Sequence, residues 1–123
     1  MPITCTIEGR IIHVSWNGTI AKDDLETLGK ELPRIGRALG FAPDVLHTFE
    51  GATGLDFEPA AAYQYARQQK PVAIPEAVRA AMVVTTKEAE YLSTVFKTLN
   101  RRPNLEMKVF FDEASARRWL ARE

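Results

Sequence analysis

Apolar and polar residues alternate along three segments of the chain, two at its beginning and one near its end. The alternation has a period of two over residues 3–7, 12–16 and 105–111, which places every second side chain on one face of a strand. Glu8-Gly9 separates the first two segments, and so short a connection favours an antiparallel hairpin. Asn17-Gly18 is expected to end the second strand.

A helical repeat follows these two strands. Leucine and isoleucine residues recur at spacings of three and four, the repeat of one apolar helix stripe, at Leu25, Leu28, Leu32, Ile35 and Leu39. Either Thr19 or Lys22-Asp23-Asp24 is expected to mark the beginning, since carboxylates favour the first turn. Pro33 lies inside the stripe and predicts a kink or a break into two helices. Gly40 is expected to end the helix.

Two more strands and three more helices are predicted further along the chain. Val45–Phe49 is strand-like, and the continuous apolar run 80–84 is typical of a strand covered on both faces. Helical patterns occupy residues 58–69 and 89–99, and a final helix is expected to follow Asp112. The order ββαβαβαβα predicts an α/β fold with a mixed, mainly parallel five-stranded sheet.

Two of these helices carry capping signals at their starts. Thr85 and Glu88 stand three residues apart, as in a capping box. Asp112 is expected to cap the last helix. That helix should bury one stripe of apolar side chains, Ala116, Trp119 and Leu120.

Composition and charge favour a single globular domain over residues 1–123, and the 46% of hydrophobic residues is ordinary for one. The 16 basic and 16 acidic residues cancel, so the chain lacks the positive field that attracts proteins to nucleic acid. Its apolar runs are far shorter than the roughly 20 residues that span a bilayer. A single cysteine allows no intrachain disulfide, and the start lacks signal-peptide features, so a cytoplasmic location is expected.

Four segments carry a resemblance to a known family, and together they cover nearly the whole chain. They are Trp16-Asn17-Gly18-Thr19 before the first helix, the strand and following segment 45–53, residues 80–85, and residues 109–120. Their layout resembles the STAS-like family, named for sulfate transporters and anti-sigma-factor antagonists, and especially its small stand-alone bacterial members. The resemblance implies one STAS-like domain with helices mainly on one side of the sheet, and a non-enzymatic regulatory or protein-interaction role.

The segment from Glu50 to Asp56 is the predicted partner-binding loop. It follows a central strand and leads into a helix, and loops at the carboxyl ends of parallel strands are where α/β domains usually bind partners. Its candidate residues are Glu50, Gly51, Thr53, Gly54 and Asp56. Thr53 lies near the place where phosphorylatable relatives carry an Asp-Ser-Ser/Thr-Gly type loop, and is a candidate phosphoacceptor. Alternatively, Thr53 is a turn residue that hydrogen-bonds its own backbone.

A second candidate site is an apolar groove along the helix predicted over residues 58–69. Small and aromatic residues share this face, namely Phe57, Ala62, Tyr63, Tyr65 and Ala66. Such a face could hold a small apolar ligand or lipid. Equally, the alanines would let the helix pack closely on the sheet with the tyrosines at its rim.

The chemistry of the remaining polar residues points to no established enzyme class. Nucleotide-binding and hydrolase signatures of the glycine-rich and Gly-x-Ser-x-Gly types are absent from the sequence. Cys5, His13 and His47 lie on predicted strands, and their convergence would indicate a nucleophile, a base or a metal site of an unrecognised enzyme. No two of them share a short ligand spacing. No cofactor and no metal are therefore predicted.

The expected partner is another protein or a small apolar ligand. A homodimer is also predicted, because the opening hairpin or the last strand leaves a sheet edge whose backbone groups seek partners. Ile3–Ile7 is the segment expected to make this contact.

Overall fold

A computed structural model of the chain describes residues 3–58, 60, 76–99 and 104–122. In these residues eight elements follow one another along the chain. They are β1 (Ile3–Glu8), β2 (Ile11–Ala21), α1 (Lys22–Leu39), β3 (Asp44–Asp56), β4 (Val78–Val83), α2 (Lys87–Leu99), β5 (Leu105–Phe110) and α3 (Glu113–Leu120).

The strands form one mixed sheet in the order β1-β2-β3-β4-β5. β1 runs antiparallel to β2, as the predicted hairpin requires, and the other three pairings are parallel. The predicted α/β fold with a mixed, mainly parallel five-stranded sheet is therefore confirmed. The helix predicted over residues 58–69 lies almost entirely outside the described residues.

Two hydrophobic clusters hold the helices against the sheet, one on each face. The larger cluster joins α1 and α2 to the sheet through the buried residues Ile12, Val14, Trp16, Ile20, Leu25, Leu28, Phe49, Met82, Val84 and Ala89. The smaller cluster holds α3 through Leu46, Ala81, Val83, Ala116 and Leu120. Two of the three described helices thus share one face, while α3 covers the opposite face and leaves Trp119 partly buried.

β2 is longer than its sequence predicts. It continues through Asn17-Gly18 to Ala21 and stays paired with β3 over this whole length. Gly18 adopts a φ of 67°, a conformation open to glycine at little steric penalty. The prediction that Asn17-Gly18 ends the strand is wrong, because pairing with a distant segment overrides the local turn signal.

α1 begins at Lys22, one of the two predicted starts, where the Ala21 N–H donates to the Asp24 carboxylate at 2.7 Å. The helix runs through Pro33 as one element, so of the two predicted outcomes, a kink or a break, the break into two helices does not occur. The buried stripe of Leu25 and Leu28 anchors the helix on the sheet and offsets the hydrogen bond that proline removes. Gly40 ends it in the left-handed conformation, as predicted.

The two predicted caps have different outcomes. Asp112 caps α3 by accepting from the Ser115 N–H at 2.7 Å, which confirms the prediction. The cap of α2 is Thr86, whose hydroxyl accepts from the Ala89 N–H at 3.1 Å. The capping box assigned to Thr85 is therefore wrong by one residue, a shift that the adjacent threonines Thr85 and Thr86 make invisible in the sequence.

Candidate functional site

The second half of β3 extends beyond the end of its neighbour β4. Pairing between β3 and β4 covers only Val45–Thr48 of β3, whereas pairing between β3 and β2 continues to Asp56. The segment from Glu50 to Asp56 is therefore a strand, and its prediction as a loop is wrong. β2 supplies the backbone partners that a loop would lack, and no partner for the other edge of this segment occurs among the described strands.

Thr53 occupies a bulge in this extension. Ala52 pairs with Gly18 and Gly54 pairs with the next residue of β2, Thr19, so Thr53 is an extra residue without an opposing partner in the ladder. Its side chain is exposed. Because bulges re-aim side chains and often lie beside functional sites, the structure gives Thr53 a position that a regular strand would not provide.

Gly51 lies at a second irregularity, where the strand backbones approach closely. A Cβ atom added to Gly51 would meet the Asn17 side chain at less than a normal contact distance and the Trp16 carbonyl oxygen at 3.2 Å. Gly54 has open space at the corresponding position. Of the two glycines in the predicted site, only Gly51 lies where a larger side chain would clash with its neighbours.

A recess lies between the β3 extension and the start of α2. It is open to solvent, has a volume of about 40 Å³ for water-sized molecules, and is lined by Ile20, Phe49, Ala52, Thr53, Gly54, Leu55, Thr86 and Ala89. Most of the lining residues are apolar, and the polar ones are Thr53 and Thr86. The recess is at the carboxyl ends of parallel strands, the usual location of binding sites in α/β folds.

The five predicted partner-binding residues lie together on the β3 extension, but they do not all line the recess. Thr53 and Gly54 line it, while Glu50, Gly51 and Asp56 are exposed along the strand. The carboxylates of Glu50 and Asp56 lie on either side of the bulged Thr53 along the strand.

The predicted apolar groove is described only at its beginning. Phe57 is half-buried and packs against the cluster beneath α1 and α2. The other four candidates, Ala62, Tyr63, Tyr65 and Ala66, lie outside the described residues.

Cys5, His13 and His47 do not converge. Cys5 and His47 lie in register on either side of Val14, two strand spacings or about 10 Å apart. His13 neighbours Val14 in β2 and so points to the opposite face of the sheet. Burial raises the pKa of the Cys5 thiol, which disfavours the nucleophilic thiolate. In the part of the chain that the structure describes, no group of three potential ligands could hold a metal ion.

His47 is fully enclosed in the larger cluster. Its Nδ1 atom accepts a hydrogen bond from the Trp16 indole N–H at 3.2 Å, and its ring stacks with Phe49 at a centroid distance of 6.3 Å. Burial lowers its pKa to about 3, with a smaller contribution from His13. His47 is therefore a neutral core residue at physiological pH.

A polar network that the sequence did not reveal lies on the opposite face, beside α3. The Glu8 carboxylate is 2.8 Å from His13 Nδ1, and His13 Nε2 is 2.9 Å from the Thr48 hydroxyl. Arg117 of α3 lies 3.1 Å from the same carboxylate. The hydrogen bond from His13 is the main cause that lowers the pKa of Glu8, with further contributions from Arg117.

This carboxylate, imidazole and hydroxyl have the order of an acid–base relay, but Thr48 is buried in the middle of the sheet. Its position in β3 pairs with Ser15 on one side and Val83 on the other, so the neighbouring backbone N–H groups serve the ladders and do not point at a substrate oxygen. The arrangement links β1, β2, β3 and α3. The alternation of the predicted hairpin places Glu8 and His13 on one face. The contact of Thr48 with His13 depends in addition on the register between β2 and β3.

Comparison with known proteins bears on the fold. No protein-family model matches the sequence, and no curated protein matches it either. The crystal structure of an uncharacterized protein from the DUF3478 family with a SpoIIAA-like fold, from Shewanella loihica PV-4, is similar to the chain with a TM-score of 0.50 and 19% identity. The similarity covers 96% of this chain and 91% of that one. The chain thus has a SpoIIAA-like, STAS-like fold, as its layout predicted.

None of the helices in the described residues is long and apolar enough to cross a bilayer.

Proposed function

We propose that the chain is a non-enzymatic regulatory or protein-interaction module with a STAS-like fold, which binds a partner protein through the β3 extension and the adjoining recess. The observation that carries this proposal is the exposed bulge at Thr53, on a strand segment that has β2 on one edge and the recess beside it. An apolar recess with a polar rim has the composition of a protein-binding surface.

In this proposal, binding is regulated by phosphorylation of Thr53, which changes the charge around the bulge. Glu50 and Asp56 flank Thr53 on the same segment, so a phosphate on the Thr53 hydroxyl adds negative charge where two carboxylates already stand. Like-charge repulsion at this site then weakens the contact with the partner protein. Thr53 is thus the phosphoacceptor in this proposal.

Thr53→Glu tests the site directly. The partner is first identified by capture from the source cell, and its affinity for the purified chain is measured by calorimetry. We expect Thr53→Glu to weaken binding by about tenfold or more, which corresponds to about 1.4 kcal/mol, while the melting temperature stays nearly unchanged. Thr27→Glu is the matched control, because Thr27 is also exposed but lies on α1. Equal affinity of Thr53→Glu and wild type would remove the site assignment.

The non-enzymatic part of the proposal has its own test. A screen of activated esters, phosphoesters and amides should show no turnover above background for wild type or for Thr48→Val. Turnover that Thr48→Val abolishes would instead assign the Glu8, His13 and Thr48 network as a catalytic site.

A carrier of a small apolar ligand is the second candidate function, favoured by the apolar lining of the recess. Ile20, Phe49 and Leu55 supply large apolar side chains to it, as ligand sites of this type require. Native mass spectrometry of the protein purified from its source should then show a bound small molecule that Ala52→Trp displaces. A mass equal to that of the chain alone in both proteins would exclude this function.

A further inference from the structure

We infer that β1 pairs antiparallel with β1 of a second copy of this chain, about a two-fold axis that passes beside Cys5. β1 is an edge strand of the sheet, and its only partner among the described strands is β2. This interface is separate from the proposed partner site, which lies on β3, so either can fail without the other.

The hairpin turn determines which backbone groups of β1 face outward. Only Gly9 and Arg10 separate Glu8 from its cross-strand partner Ile11, and Gly9 has a φ of 62°, as the first central residue of a type II′ turn requires. The residues that flank a two-residue turn exchange both of their backbone hydrogen bonds, and such pairs alternate with pairs that exchange none. The N–H and C=O groups of Glu8 therefore point to β2.

The same alternation fixes the rest of the strand. Thr4 and Thr6 also direct their backbone groups to β2, whereas Ile3, Cys5 and Ile7 direct theirs to the open edge. These three outward residues are spaced evenly about Cys5. An antiparallel second copy centred there places Ile3 opposite the partner's Ile7, and Cys5 opposite the partner's Cys5. Each of the three resulting pairs exchanges two hydrogen bonds, and a register shifted by two residues loses at least one pair.

The side chains of β1 also suit pairing with themselves. Residues 3–7 contain neither charge nor proline, the two devices that commonly protect an edge strand. The Ile7 side chain, 53% exposed in the single chain, would lie beside the partner's Ile3. The nearest charge along the strand is that of Glu8, which already pairs with His13 and Arg117.

The other edge of the sheet is different. β5 carries the exposed charged residues Glu106 and Lys108, and alternating charges along an edge disfavour pairing with a second strand. This contrast assigns self-association to β1.

The first experiment measures mass under reducing conditions. Light scattering of wild type should give a dimer at micromolar concentration, and Ile7→Lys should raise the dimer dissociation constant by about tenfold or more, because it puts a charge on each copy at the shared edge. Tyr91→Lys is the matched control, since Tyr91 is a comparably exposed apolar residue, at 43%, on α2. A monomeric wild type, or a dimer that Ile7→Lys leaves intact, overturns the inference.

The second experiment tests the register. Directly opposed residues in a hydrogen-bonded pair have Cα atoms about 5.5 Å apart, close enough for a reagent such as dibromobimane, which fluoresces only after it joins two nearby thiols. Wild type should crosslink through Cys5. The double variant Cys5→Ser/Thr6→Cys should not crosslink, because its new thiol at position 6 lies opposite the partner's Thr4, so the two thiols are not directly opposed. Crosslinking of the double variant in place of wild type overturns the register centred on Cys5.

Discussion

Buried polar side chains on the two faces of the sheet serve different purposes. His47 is enclosed among aromatic rings and accepts a hydrogen bond from Trp16, so its ring behaves as part of the larger cluster. His13 joins Glu8 to Thr48 on the face that α3 covers. Side chains alternate between the two faces of the sheet along each strand. His13 and His47 therefore lie on opposite faces and have different neighbours, although both belong to central strands.

The pH dependence of stability should report the burial of His47. Its pKa falls from the ordinary value of 6.5 to about 3 on folding, so below pH 6.5 the unfolded chain gains a proton that the folded chain does not bind. The stability associated with neutral His47 is therefore fully present above pH 6.5 and is lost as the pH falls toward 3. The slope is about 1.4 kcal/mol per pH unit.

His47→Gln isolates this effect from the titration of carboxylates, because glutamine can accept the Trp16 hydrogen bond but does not titrate. Urea unfolding of both proteins at pH 7.5 and pH 5.5 gives the two differences in free energy of unfolding. Wild type should lose about 1.4 kcal/mol more than His47→Gln between these values. Equal losses would mean that His47 is protonated in the folded state.

The two glycines of the β3 extension should respond differently to alanine. Gly51→Ala should destabilise the chain by about 1–3 kcal/mol, because the new Cβ must displace Asn17 against the Trp16 carbonyl. Gly54→Ala is the matched control and should be neutral or stabilising by up to about 1 kcal/mol, since its Cβ meets open space. Thermal and denaturant unfolding measure both changes, and equal effects would contradict the close approach at Gly51.

Among the secondary-structure elements, α3 is short and depends on its ends and on one face. Its cap is Asp112, and its buried residues are Ala116 and Leu120. Trp119 adds a partly exposed contact with Phe110, at a ring-centroid distance of 5.6 Å. Arg79 of β4 lies over the Trp119 ring and donates to the Trp119 carbonyl at 2.6 Å. Short helices gain most of their stability from such tertiary contacts.

Loss of the cap should weaken α3 measurably. Asp112→Ala removes the acceptor for the Ser115 N–H and should lower the free energy of unfolding by about 1 kcal/mol. Asp112→Asn retains an acceptor oxygen and should lose less than the alanine variant. The pKa of Asp112 is lowered mainly by the backbone hydrogen bond from Ser115, so the difference between wild type and Asp112→Ala should shrink as the carboxyl is protonated in acid. An alanine variant as stable as wild type would show that packing alone holds α3.

At the scale of the whole molecule, one sheet connects both hydrophobic clusters. The clusters lie on opposite faces of β3 and β4, and adjacent residues of those strands contribute to each. Neither cluster can lose its packing without distorting the strands that form the other. This arrangement favours a single cooperative unit for the strands and helices that the structure describes.

The chain should therefore unfold in one transition. Far-ultraviolet and near-ultraviolet circular dichroism should give the same midpoint, and the calorimetric enthalpy should equal the van't Hoff enthalpy per cooperative unit. If β1 pairs between copies, the midpoint should also rise with protein concentration. Two separated transitions would instead divide the chain into independently folding parts.

Much of the fold was predictable because its signals are local. The alternation over residues 3–7 and 12–16 identified the hairpin, and the apolar stripe from Leu25 to Leu39 identified α1. Both patterns depend only on which side chains share a face within one element. The loop assigned to Glu50–Asp56 failed because its glycines carry the same local signal in a turn and in a bulged strand.

The sequence by itself determined the element types, most of their order and the polar or apolar character of each face, since these follow from spacing within short segments. Only the tertiary structure decided that β3 extends past β4, that Thr53 lies in a bulge beside a recess, and that Thr48 meets His13. These features depend on the register between strands that are more than 30 residues apart in the chain. Register is set by how both faces of the sheet pack at once, and no single segment carries that information.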